Sequence, residues 1–136
     1  ADAAPPDDET SLLAALGRFL ETDSASPIRR HTPQGADPDS VIDCRAVLQQ
    51  GFRETDITSL PSLFRPAKGM LGLTDYEKTF CPNLKNLPDL YDLRQINRNQ
   101  GCLVIIRPDQ YVAEILPLDG FDKLTAFFSR ILLPAR

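Results

Sequence analysis

The sequence predicts an α/β sandwich, with a central mixed sheet between flanking helices, and three stretches carry that expectation. Cys102 to Ile106 is a near-continuous apolar run, and Tyr111 to Leu116 is a more mixed one. With Arg107-Pro108-Asp109-Gln110 between them they read as a buried β-hairpin whose first strand is central and covered on both faces. Pro108 presets φ for the turn, and the Asp109 side chain can bond back to the backbone. Near the start, Leu12, Leu13, Leu16, Phe19 and Leu20 share one face of a helix from Ser11 to Thr22. Near the end, Phe121, Leu124, Phe127, Phe128, Ile131 and Leu132 recur at intervals of three and four, which predicts a closing helix, capped by Asp119 and largely buried.

In chain order, residues 1–10 are rich in Pro, Ala and Asp and read as a disordered tail, so the domain proper is residues 11–136. The segment from Ser24 to Ser40 holds Pro27, Pro33, Gly35 and Pro38 and reads as a loop with short turns. Val41 to Leu48 then alternates, with Ile42, Cys44, Ala46 and Leu48 on one side, the period of a strand. From about residue 51 to 99 the chain is irregular, interrupted by Pro61, Pro66, Pro82 and Pro88. A stretch of that length inside a domain is usually functional or docked on a partner. Within it Tyr76 to Phe80 suggests a short strand, and Leu87 to Leu93 a helical turn presenting Leu90 and Leu93.

Composition bounds the function. The 136 residues are 42% apolar and 25% charged with a formal charge of -4, ordinary values for a globular domain. No apolar run approaches the ~20 residues that span a bilayer, so the expected location is cytoplasmic, with no membrane partner. The acidic balance and the shortness of Arg29-Arg30-His31 argue against nucleic acid. The chain begins at Ala1 without a methionine, which suggests either processing or a piece of something longer.

Few residues suggest chemistry. Cys44, Cys81 and Cys102 are widely spaced, with no Cys-x-x-Cys pair; Cys44 and Cys102 read as core residues, and Cys81 beside Pro82 is the one placed to react. The seven glycines never take the Gly-x-Gly-x-x-Gly spacing of a dinucleotide turn, so no cofactor is expected in this chain. His31, the sole histidine, is the one possible imidazole base, and it lies in the Pro-flanked loop. Asp7, Asp8 and Glu9 read as solvated tail carboxylates. Asp75, Tyr76, Asp92 and Arg94 form the most suggestive polar set. They read first as hydrogen bonds tying the insert down and second as a pocket. Arg107 has Asp109 and Glu114 as possible partners for a turn-locking salt bridge.

The string Arg107-Pro108-Asp109-Gln110-Tyr111-Val112-Ala113 after a Val/Ile strand resembles the C-terminal domain of phenol 2-monooxygenase-like flavoprotein aromatic hydroxylases, and the likeness runs from about Leu12 to Leu133. The resemblance implies a thioredoxin-like fold serving dimerisation, with FAD, NADPH and O2 used elsewhere in a parent enzyme that hydroxylates a phenolic ring. It places Arg107, Pro108, Asp109, Gln110 and Tyr111 at an interface, with a homodimer or a flavin-domain partner implied. The order helix, strand, insert, strand, strand, helix is that of a thioredoxin-like fold whose first strand is missing. The Ala-Asp-Ala-Ala-Pro-Pro start departs from the family, which has a strand there. An unpaired strand position is a liability. A fragment of a longer enzyme, a partner subunit donating the strand, or a stand-alone protein would each account for it. The stand-alone alternative is a cofactor-free cyclase or isomerase, or small-molecule-binding protein, of a fungal pathway. It would bind an aromatic ligand, with Tyr76, Asp92, Arg94 or His31 exchanging protons.

Overall fold

The computed structural model describes residues 1–83, 85 and 87–135. Helix α1 (Leu12–Thr22) forms where its apolar stripe predicts, and its start is doubly satisfied. The Ser11 hydroxyl accepts from the Ala14 N–H, and the Asp2 carboxylate accepts from the N–H groups of Leu12 and Leu13 at 3.0 and 3.1 Å. In the segment read as a disordered tail, Asp2 is thus buried, and the Ala1 nitrogen donates to the Val47 carbonyl at 2.7 Å. The loop that follows α1 contains a short helix α2 (Pro27–His31), with Ser26 as cap and Pro27 in the first turn, where a missing N–H costs nothing.

The structure is α/β, but its strands form separate two-stranded ladders rather than one central sheet. β1 (Ala46–Val47) runs parallel to β4 (Thr79–Phe80), β2 (Ala67–Lys68) antiparallel to β3 (Leu73–Thr74), and β5 (Leu103–Ile106) antiparallel to β6 (Val112–Leu116). The long strand expected over Val41 to Leu48 is therefore cut to two residues. Its alternation is real, since Ala46 and Leu48 are buried and Cys44 is partly so, but only around Ala46 to Leu48 does the backbone meet a partner. Tyr76–Lys78 is a 3-10 turn running into β4, and the helical turn expected over Leu87 to Leu93 forms as α3 (Leu90–Leu93), with Leu90 and Leu93 exposed. The closing helix α4 (Phe121–Ile131) is capped at Gly120 rather than by the Asp119 side chain, whose main-chain oxygen accepts from the Phe121 N–H.

Two apolar clusters meet along α1. Leu16 and Leu20 join Ile28, Ile105, Leu116 and Leu124, while Leu13 joins Ala46, Leu48, Leu60 and Phe64; partly buried Cys44 touches both clusters. Each buried leucine contributes about 1.5–3 kcal/mol. Phe19 stacks on Phe121 with centroids 4.6 Å apart, which fixes α4 against α1. Gly17 lets Pro61 approach so closely that a Cβ there would lie 2.4 Å from the ring. Two predicted features of the C-terminal part are overturned: β5 is covered on one face only, and α4 buries Leu124 alone, with Phe121, Phe127 and Phe128 partly covered. In both cases a single apolar cluster with α1 and α2 covers the inner side, where Ile105, Leu116 and Leu124 meet, and among the described residues no second layer covers the outer side.

Candidate functional site

The polar residues singled out in the sequence are dispersed into structural networks. Asp75 caps the Glu77 N–H and lies 3.4 Å from Lys68 and 3.8 Å from Lys78. Lys78, only 5% exposed, is held by Asp39 at 2.8 Å and Asp43 at 2.6 Å, and Lys68 also bonds Asp39. Burial pushes the Lys78 ammonium down, but the hydrogen bonds and charges of Asp39 and Asp43 outweigh it and hold the group above the ordinary lysine range. Asp39 shows the mirror image: burial works upward, yet Lys68 and Lys78 leave its carboxyl below the usual range. This network ties the loop before β1 to the insert, and of the four residues of the polar set only Asp75 belongs to it.

A second network surrounds α3. Arg98 pairs with Asp89 at 2.7 Å and Asp92 at 2.8 Å and lies over the Tyr91 ring, whose hydroxyl donates to the Val47 carbonyl at 2.6 Å. Burial pushes the Tyr91 phenol up to about 12, so it stays a neutral donor. Arg94 ends α3 on the surface, and Tyr76 is exposed. His31 is not in a solvated loop but buried, with its Nδ1 2.8 Å from the Leu133 carbonyl, where it ties α2 to the segment after α4. Among the described residues, no side-chain hydrogen bond or ion pair joins any two of Tyr76, Asp92, Arg94 and His31. Cys44 is a closed thiol that burial raises to about 12, and partly buried Cys81 lies 3.9 Å from the Thr55 hydroxyl.

The hairpin turn has the geometry its residues dictate. The Gln110 N–H donates to the Arg107 carbonyl at 2.9 Å, the Arg107 N–H donates to the Tyr111 carbonyl at 2.9 Å, and Gln110 takes a φ of 69°. Arg107 pairs with Asp109 at 2.7 Å, the first of its two possible partners. Beyond the turn the outer face of the hairpin is apolar. Val104 stands opposite Ile115 and Ile106 opposite Val112, and these four are 43%, 61%, 61% and 57% exposed in that order. Beside them a shallow groove between β6 and α4 is lined by Glu114, Ile115, Lys123, Phe127 and Arg130. Sequence reasoning missed this surface, although the parity of Val104 and Ile106 about buried Ile105 contained the signal.

Among the described residues, no helix is long and apolar enough to cross a membrane. The family model for the phenol hydroxylase C-terminal dimerisation domain matches residues 1–136. A 3-hydroxybenzoate 4-monooxygenase of Comamonas testosteroni is 51% identical over 132 residues, covering 96% of this chain and 20% of the relative. An FAD-dependent monooxygenase, terD, of Aspergillus terreus is 31% identical over 123 residues, covering 88% of this chain and again 20% of the relative. The chain thus spans about a fifth of the length of the curated relatives it matches.

Proposed function

From the finding that the chain belongs to the family of phenol hydroxylase C-terminal dimerisation domains, we propose that it joins two copies of an FAD-dependent aromatic hydroxylase and performs no reaction itself. The carrying observation is the outer face of the β5–β6 hairpin, where Val104, Ile106, Val112 and Ile115 stand in cross-strand pairs exposed to water. Contiguous exposed apolar area of this kind marks association surfaces. The turn residues Arg107, Pro108, Asp109, Gln110 and Tyr111 extend this surface. FAD, NADPH and O2 act in the remaining four-fifths of a protein of the relatives' length, on a phenolic ring in the cytoplasm. The thioredoxin-like arrangement belongs to that longer protein. There an added strand alongside β1 would bring the ladders toward one sheet, since the main chain at Ala1 lies between Val47 and Gly101. The stand-alone cyclase alternative draws on Tyr76, Asp92, Arg94 and His31, of which only Asp92 and Arg94 share an element, at α3, and we set it aside.

The test is the mass of the purified 15.1 kDa chain in solution by light scattering across micromolar concentrations. A mass twice that of the chain supports the proposal. A strict monomer throughout overturns it.

A further inference from the structure

We propose that the groove between β6 and α4 binds a small aromatic carboxylate, a single-ring acid that also carries a hydroxyl group. The site is separate from the apolar face proposed to join two copies. Glu114 stands opposite buried Ile105 and so points to the inner side of the hairpin, where α4 lies, while Val104 and Ile106 point to the outer side. Of the residues lining the groove, only Ile115 also belongs to the outer face. Packing two outer faces together leaves the α4 side of the groove open.

The groove is an open cavity of about 500 Å³, and small-ligand sites run to roughly 300–1,000 Å³. Lys123, Phe127 and Arg130 recur along α4 at the spacing that places them on one face, with Glu114 on the neighbouring strand. Leu116, Ala126 and Phe127 supply apolar wall, and the Arg130 guanidinium lies 5.9 Å from the Phe127 ring centroid. Among the described residues, neither an ion pair within 4.0 Å nor a side-chain hydrogen bond engages Glu114, Lys123 or Arg130. Elsewhere the cations Lys78, Arg98 and Arg107 are consumed by carboxylates of the chain itself.

Two uncommitted cations and one uncommitted carboxylate along an apolar wall set three requirements on an occupant. It brings an anion to Lys123 and Arg130, and a carboxylate matches the fork of the guanidinium. It brings a flat apolar body to Leu116 and Phe127, where a ring packs well. At its other end it presents a donor to Glu114, since a second anion there would be repelled. Inorganic phosphate meets the first requirement alone, and a simple phenol meets only the other two.

Titration of the isotope-labelled chain with benzoate, 3-hydroxybenzoate and phenol, followed through amide NMR shifts, tests the site. Saturating shifts should cluster at residues 114–117 and 123–130, with affinity falling from 3-hydroxybenzoate to benzoate to phenol. A dissociation constant on the order of 1 mM suits a ligand of about ten non-hydrogen atoms at an open site. The double substitution Lys123→Gln and Arg130→Gln should weaken both acids about tenfold and leave phenol unchanged. Glu114→Ala should remove the preference for 3-hydroxybenzoate over benzoate. All three positions are exposed, and an unchanged circular dichroism spectrum establishes that each variant is folded. Shifts that scatter over the surface or fail to saturate overturn the site. Equal binding of phenol and the two acids, or acid binding untouched by the double substitution, reduces the contact to unspecific apolar adhesion and overturns the assignment. These readouts are taken whether the chain is monomeric or dimeric, so they stand apart from the test of dimerisation.

Discussion

The side of the molecule built on β1 and β4 and the side built on β5, β6 and α4 share α1 but differ in how far each is closed. On the first, Leu13, Ala46, Leu48, Leu60 and Phe64 are all buried, and the charges nearby are consumed internally by Lys78, Asp39 and Asp43. On the second, the inner faces of the hairpin and of α4 are packed, while the outer face of the hairpin and Ile131 remain in water. The contrast separates residues that hold the fold from exposed apolar residues that the proposed dimer would cover. Burying an apolar side chain stabilises only where a second layer is present, so the same residue type serves opposite ends on the two sides.

The largest expected effect is the cost of hollowing the closed side. Leu48→Ala, at a fully buried position, should lower unfolding free energy by about 3–4 kcal/mol in urea titration. Ile106→Ala, on the open side, should change it by less than about 0.5 kcal/mol at concentrations where the chain is monomeric. Equal losses at the two positions would erase the distinction.

Removing the buried cation comes next. Lys78→Met leaves Asp39 and Asp43 without their shared partner and should cost about 2–3 kcal/mol, at or below the low end for broken buried pairs because Asp43 keeps contact with solvent. The pH dependence has a definite sign. The Asp39 carboxyl is held below its ordinary value, so its contribution is present above about pH 4 and is lost as pH falls through the lower folded-state value. Lys78 is raised, so its contribution is complete below about pH 10.4 and fades as pH climbs through the higher folded-state value. Urea midpoints between pH 2 and 6 should fall more steeply for the parent chain than for Lys78→Met. An identical acid slope in both would remove the network from the account of the closed side.

Much of this division was legible in the residues, though unevenly. The helical periods of α1 and α4, the hairpin turn and the buried parity of Ala46 and Leu48 follow from local spacing alone. The β-hairpin was also legible, but an apolar run says only that a strand avoids water in its final setting, and Val104 and Ile106 meet no second layer within this chain. The same ambiguity made α4 read as buried. The network around Lys78 was invisible because Asp39 and Asp43 are 39 and 35 residues away from it, and charge pairing over such separations leaves no periodic trace. His31 was misplaced for the same reason: its partner is the Leu133 carbonyl, 102 residues away in sequence.

The smallest expected effect on stability sits at the hairpin turn and sharpens the contrast most. The Arg107–Asp109 pair is 2.7 Å long but both side chains are largely solvated, so Arg107→Ala should alter unfolding free energy by no more than about 0.5 kcal/mol. The turn keeps its backbone bonds from Gln110 to Arg107 and from Arg107 to Tyr111 without the guanidinium. Its register therefore does not depend on the salt bridge. If the turn borders the second copy, the same substitution should weaken dimerisation by about two- to fivefold in sedimentation equilibrium, through loss of contact area and charge at the rim of the interface. A loss of stability near 2 kcal/mol would instead make Arg107 part of what holds the hairpin together, and would move the boundary between the closed and open sides to include the turn.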